Sequence, residues 1–175
     1  MIHPPWYFHP TPEALLDHFK TTAKEVDLPI ILYNIPPFAG YEVPAEVVIK
    51  ASQTENVVDI KDSSANMLYY QSLIASCHEG FNVIQGYGSL FLPSLSLGAG
   101  QQWQEANIAP KIMVGIYENY LKGDMEAARK LHYKIVSLLP IFSYGNFPDV
   151  VKEAMNRIGL QAGYVRKPST RLNEK

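Results

Sequence analysis

An α/β fold built on a parallel sheet, of the (β/α)-barrel kind, is what this sequence predicts, and three observations predict it. Over the first hundred or so residues, short and continuously apolar runs alternate with longer amphipathic stretches. Such alternation implies a parallel sheet with right-handed crossovers. No G-x-G-x-x-G or G-x-x-x-x-G-K-[ST] follows any apolar run, so a nucleotide-binding doubly wound sheet lacks its signature. From about Ile108 to Ile158 the chain reads as helices alone. In a (β/α) barrel, functional groups sit at the C-terminal ends of the strands.

The elements follow in order. "TPEALLDHFKTTAKEV" is a helix with Thr11 as N-cap and Pro12 at the first position, and its Leu15, Leu16, Phe19 and Ala23 recur at helical spacing. "LPIILYN" is too short and too evenly apolar for a surface helix and fits a buried parallel strand. The breakers "IPPFAG" precede a helix opened by Pro44, "PAEVVIKAS", and "NVVDI" is the second strand. "SANMLYYQSLIASC" is helical with Ser63 or Ser64 as cap, "FNVIQG" is a strand, and "SLFLPSLSLG" is helical with Pro93 near its start or at a kink. "AGQQWQEA" reads as a short strand. The helices "APKIMVGIYENYLKG", "DMEAARKLHYKIVSLLPIF" and "FPDVVKEAMNRIG" complete the chain, with Gly123 and Gly159 as stops.

Composition removes several function classes. A net charge of −2 and scattered Lys and Arg argue against a nucleic-acid binder, which needs a basic face. The tail cations Arg166, Lys167, Arg171 and Lys175 read as a solvated end. The lone cysteine, Cys77, excludes an intrachain disulfide and fits a reducing, cytoplasmic setting. No apolar run approaches the length of a membrane span, and the proline-rich start lacks the basic region of a signal peptide. The five histidines show no metal-binding spacing.

Two positions could carry chemistry. Tyr33 closes one predicted strand and Lys61 the next, 28 residues on, which is about one strand–helix–strand unit. Equivalent ends of neighbouring strands would set a phenol beside an amine. A desolvated lysine amine attacks a keto group to form a Schiff base, and a phenol can shuttle the protons of that reaction. A snorkelling lysine and a packed tyrosine would give the same spacing. Asp59, two residues before Lys61 and on the same strand face, would favour the ammonium form unless it pairs elsewhere.

The segments "PPWYFHPTPEALLDHF", "LPIILYNIPPFAG", "VVDIKDSS", "GYGSLFLPSLSLGAG", "EANIAP" and "RKPSTRL" resemble, in order, the dihydrodipicolinate synthase / N-acetylneuraminate lyase family of class I aldolases. The resemblance covers nearly the whole chain. It implies a (β/α)8 barrel followed by C-terminal helices, with residues 1–107 supplying about strands five to eight and 108–175 the helical region. It implies a Schiff base between Lys61 and pyruvate or another 2-keto acid, with Tyr33 as proton donor or relay. Tyr7, beside Trp6, matches a second tyrosine that reaches into a neighbouring subunit's site. No metal or organic cofactor is implied, and the family is usually oligomeric.

Four departures shape the expectation. The family's N-terminal G-T-T-G-E segment has no counterpart here, so the chain should need a complementary barrel half, self-association or a longer natural chain, because half a barrel leaves two open strand edges. Phe38 stands where dihydrodipicolinate synthases carry a carboxylate-binding arginine. Gln102 and Trp103 stand about where the family's pyruvate-site residues fall, so Gln102 is a candidate substrate contact. Asp59 replaces a common glycine. The expected function is therefore the C-terminal portion of a pyruvate-type Schiff-base lyase or aldolase acting on 2-keto acids, 2-keto-3-deoxy acids among them, rather than a true dihydrodipicolinate synthase. The alternative is an inactive, truncated homologue serving as a structural or regulatory partner.

Overall fold

The computed structural model describes residues 1–98, 100, 101, 105–169 and 172. The chain divides into two compact units, 1–102 and 103–175.

The first unit is an α/β fold whose four strands lie parallel and in sequence order: β1 (Ile30–Asn34), β2 (Val57–Asp62), β3 (Asn82–Gln85) and β4 (Gly100–Gln101). The crossovers are α1 (Pro12–Glu25), which precedes β1, then α2 (Pro36–Ala39) and α3 (Ala45–Ala51), α4 (Met67–Ser76) and α5 (Phe91–Leu95). Helix α1 forms as its sequence predicts. The Thr11 hydroxyl accepts the Ala14 N–H, proline occupies the first turn, and Leu15, Phe19 and Ala23 are buried. They pack with Ile30 and Leu32 of β1, Val47 and Val48 of α3, Val57 and Ile60 of β2, Tyr70 and Leu73 of α4, and Val83 of β3. Full burial of each large apolar side chain contributes about 1.5–3 kcal/mol before entropy is counted. On the free edge of β1, Ile2 makes a parallel bridge to Leu32. Its N–H reaches the Ile31 carbonyl at 2.9 Å, and its carbonyl accepts the Tyr33 N–H at 2.7 Å.

Three local expectations need correction. "IPPFAG" is not merely a break, because Pro36 and Pro37 open the single turn α2, which Gly40 ends at φ +86°. Proline is tolerated in a first helical turn, where its missing N–H would have no intrahelical partner. The second strand does not close at Lys61 but runs one residue further, to Asp62. The cap of α4 is Asn66, whose side-chain oxygen accepts the Tyr69 N–H at 3.1 Å; neither Ser63 nor Ser64 fills that place.

The second unit is helical. Helices α6 (Pro110–Leu121) and α7 (Met125–Leu138) are joined through Gly123, at φ +76°. They approach so closely at Gly115 that a Cβ there would stand 2.8 Å from Leu131 Cδ1. The predicted long helix through "SLLPIF" stops at Leu138 and continues as a 3-10 segment, Leu139–Tyr144. Pro140 explains the change, since it cannot donate to the α-helical ladder. Helix α8 (Phe147–Arg157) follows. Its Asn156 pins the next loop, accepting from Ala162 N–H and donating to the Gly163 carbonyl, each at 3.0 Å.

Candidate active site

The register of β1 on β2 decides what the site contains. Ile30 pairs with Val57, but Ile31 pairs with Asp59, so one residue of β2, Val58, is skipped. This irregularity advances the pairing by one residue, and Tyr33 comes to lie opposite Lys61. Without it Tyr33 would face Ile60, which is fully buried among the core side chains. An extra residue in one strand is a recognised way to re-aim a side chain near a site. The Lys61 amine stands 4.8 Å from the centroid of the Tyr33 ring, within reach of a cation–π attraction.

Tyr33 and Lys61 lie on the sheet face opposite the buried core. Along β1 the residues Ile30, Leu32 and Asn34 are buried while Ile31 and Tyr33 are only partly so; along β2, Ile60 and Asp62 are buried and Asp59 and Lys61 partly so. Alternation of side chains along a strand produces this division. Partial burial raises the Tyr33 phenol above its ordinary value, and a hydrogen bond with the Ser63 side chain pulls the other way. The phenol therefore stays protonated at neutral pH and is available as a donor.

Asp59 does share the face of Lys61, as its position two residues earlier requires. Its carboxylate has a partner on the next strand, with Oδ1 accepting Asn82 Nδ2–H at 2.7 Å across a directly paired position. The pairing "elsewhere" left open by the sequence is thus Asn82.

On the core face, three polar residues form a row one step beyond the Tyr33–Lys61 pair. Asn34, Asp62 and Gln85 are in register across β1, β2 and β3, and none is more than 1% exposed. Asn34 donates from Nδ2 to Asp62 Oδ1 at 2.7 Å, and its own Oδ1 accepts the Val43 N–H at 3.0 Å. Asp62 also accepts the Ser64 N–H on Oδ1 at 3.2 Å and the Ser64 hydroxyl on Oδ2 at 2.9 Å. Gln85 takes the Tyr87 N–H and donates to Ser94, each at 3.0 Å. Each side chain ties the loop after a strand to the strand itself. Burial is the larger influence on Asp62 and lifts its carboxyl to about 6, against the lowering effect of the Asn34 and Ser64 hydrogen bonds.

Ser63 follows Asp62 just past the end of β2. It is 6% exposed, its N–H reaches the Asn34 carbonyl at 2.7 Å, and its side chain is pressed against Gly86. A Cβ on Gly86 would collide with Ser63 Oγ and lie 2.7 Å from the Asp62 carbonyl oxygen, so only glycine permits this approach.

The other candidates fare differently. Tyr7 is 72% exposed and stacks edge-on with Trp6 and Phe8. Phe38, on α2, is 69% exposed. Gln102 and Trp103 lie outside the described residues. Cys77 is half-buried and its thiol is pushed up by burial, as a packed rather than a reactive thiol would be. Among the described residues no three His, Cys, Asp or Glu side chains gather to hold a metal, and no helix is long and apolar enough to cross a membrane. Asp62 was overlooked by sequence reasoning. Its signal was the spacing itself, because Asn34 to Asp62 repeats the interval from Tyr33 to Lys61.

Comparison with known proteins gives this geometry a context. The family model for the dihydrodipicolinate synthetase family matches residues 1–175. The 4-hydroxy-tetrahydrodipicolinate synthases of Methanosarcina mazei and Methanosarcina barkeri are 37% and 40% identical over 172 residues, covering 97% of this chain and 59% of theirs. A dihydrodipicolinate synthase from Bacillus anthracis superposes with a TM-score of 0.95 at 30% identity, covering 99% of this chain and 60% of that one. The enzyme from Acinetobacter baumannii, solved with pyruvate, superposes with a TM-score of 0.89 at 32% identity, covering 98% of this chain and 60% of that one. This chain thus spans about three-fifths of the length of the relatives it matches. A match along its whole length places it among them: the chain belongs to the dihydrodipicolinate synthetase family.

Proposed function

We propose that this chain carries the Schiff-base half of a class I aldolase or lyase acting on pyruvate or a related 2-keto acid, with Lys61 as the nucleophile. The observation that carries the proposal is the Tyr33–Lys61 pair, an amine and a protonated phenol held across adjacent strand ends. The amine attacks the keto carbon, a carbinolamine forms, and loss of water gives the iminium. Tyr33 donates the proton with which the carbinolamine hydroxyl leaves as water; as phenolate it then takes the proton of the substrate hydroxyl that becomes the aldehyde carbonyl, while the carbon–carbon bond electrons pass into the iminium to give the enamine.

The architecture proposed is strands five to eight of a (β/α)8 barrel, with residues 1–107 as the barrel portion and 108–175 as a helical region. The Ile2 bridge on the β1 edge supports this, since it adds a strand-like segment where a barrel would continue. Tyr7 is proposed as a relay residue for a neighbouring subunit, consistent with its exposure, and Gln102 as a substrate contact. Phe38 brings an apolar ring instead of a cation to the loop after β1, which favours a 2-keto-3-deoxy acid over a substrate with a second carboxylate at that place. A homo-oligomer or a complementary half would close the open edges.

Incubation of the full chain with pyruvate and borohydride, followed by peptide mass spectrometry, tests the reading. A reduced adduct on Lys61 is expected. Absence of an adduct across neutral to mildly alkaline pH would leave the structural or regulatory partner as the better account.

A further inference from the structure

We infer that Asp62, through its bond to Asn34, is a positioning residue that sets the separation of Tyr33 and Lys61. The inference rests on the Schiff-base reading above and names a group that reading does not use. Asp62 touches neither the amine nor the phenol ring, because it lies on the opposite face of the sheet. It acts through the backbone.

The geometry is a clamp. Tyr33 and Asn34 are consecutive on β1, Lys61 and Asp62 are consecutive on β2, and the two pairs face each other in register. On the core side the Asn34–Asp62 hydrogen bond closes the strand ends at 2.7 Å. On the open side the next rung down holds the amine 4.8 Å from the ring centroid. A change in the spacing or twist of the first rung must move the second, since each pair shares two adjacent residues of rigid backbone. The clamp itself has little freedom. Asn34 Oδ1 is occupied by Val43 N–H, and Asp62 is held by both the backbone and hydroxyl of Ser64. The Asp62 carbonyl accepts Gly86 N–H at 2.7 Å, which ties the third strand end into the same unit.

A structural reason alone does not require a carboxylate here. An apolar pair would pack this face without the cost of burying a charge. An oriented polar pair fixes direction as well as distance, which a reacting amine beside a proton donor needs; misplacement by about 1 Å can cost about 10²-fold in rate. The titratable groups near the clamp are Glu42, before α3, and Tyr69 and Tyr70 of α4. Burial is the largest influence raising Asp62 and both phenols; beside it, Glu42 adds to the rise of Asp62, and Asp62 to that of Tyr69 and Tyr70.

The test is borohydride trapping of pyruvate on the full chain, read as limiting rate and as half-saturating pyruvate concentration. Asp62→Ala removes the acceptor. The limiting rate should fall by about tenfold or more, with a smaller change in half-saturation. Asp62→Asn keeps an oxygen facing Asn34 and should stay within about threefold of the parent. Asn34→Asp sets two carboxyls against each other. They share a proton when acidic and repel when both ionise, so the variant should match the parent at about pH 5.5 and fall away towards about pH 8. A folded Asp62→Ala that traps at the parental rate overturns the inference. If that variant fails to fold, Asn34→Asp decides, and a ratio to the parent that is flat with pH overturns it equally. A parent chain that forms no adduct defeats the Schiff-base reading, and this inference with it.

Discussion

The Lys61 amine stands 4.8 Å from the centre of the Tyr33 ring because one residue of β2 is skipped in the strand pairing below them. The irregularity brings an amine and a phenol to the same height at adjacent strand ends. Their separate effects should then be divisible by substitution.

Lys61→Met keeps the length of the side chain and removes the nucleophile, so pyruvate-dependent borohydride labelling should vanish. Tyr33→Phe keeps the ring face that attracts the ammonium and removes only the hydroxyl. Labelling at Lys61 should persist but slow by about 10²-fold, the lower range for loss of a positioned acid–base group. Equal labelling rates in Tyr33→Phe and the parent, timed by quenched-flow mass spectrometry, would remove Tyr33 from the chemistry.

Asp62 should make the fold less stable as pH rises. Its folded carboxyl lies at about 6 against an ordinary 3.8, so the native state holds the proton more tightly than the unfolded chain does. The associated stability is fully present below the unfolded value and is lost as pH climbs through the folded one. The shift corresponds to about 3 kcal/mol as an order of magnitude. Asp62→Asn carries no such titration. Urea unfolding of both proteins from about pH 3.5 to about pH 7.5 should show the variant gaining on the parent as pH rises, chiefly below about pH 6. A constant difference between the two curves would contradict the assigned burial effect.

The sequence showed the alternation and the strand ends because both depend on local pattern: apolar runs bounded by breakers, and a crossover interval repeated from Tyr33 to Lys61. It could not show the skipped residue at Val58, since a ladder irregularity is a property of two strands together. The misplaced cap has a similar origin. Ser63, Ser64 and Asn66 all have capping side chains, and the choice falls on Asn66 because Asp62 engages the Ser64 hydroxyl and Ser63 is pressed against Gly86. Both facts are tertiary. Asp62 was hidden for a related reason. In isolation a carboxylate after Lys61 reads as a solvated strand end, and only the partner strand reveals that it faces the core.

Gly86→Ala should disturb the site without touching its reactive groups. The added methyl would meet Ser63 Oγ and lie 3.0 Å from Ser63 Cβ, with the Asp62 carbonyl nearer still. Backbone cannot yield as a flexible side chain can, so a loss of about 1–3 kcal/mol is expected. Chemical unfolding gives the size of the loss. Where the variant remains folded, slower labelling of Lys61 would follow from displacement of Ser63 away from the Tyr33 phenol.

Tyr70→Phe separates fold stability from the site. Tyr70 is fully buried on α4, and its hydroxyl donates to the Val83 carbonyl at 2.7 Å, linking the helix to β3 on the core side. The substitution keeps the ring packed and removes one buried hydrogen bond, for a loss of about 1 kcal/mol. The bond lies toward the middle of β3, whereas the groups facing Tyr33 and Lys61 are at the strand ends. The urea midpoint should therefore fall while labelling of Lys61 in the folded protein stays at the parental rate. A slowed labelling rate would mean that the position of β3, and not the Asn34–Asp62 clamp alone, sets the geometry of the amine.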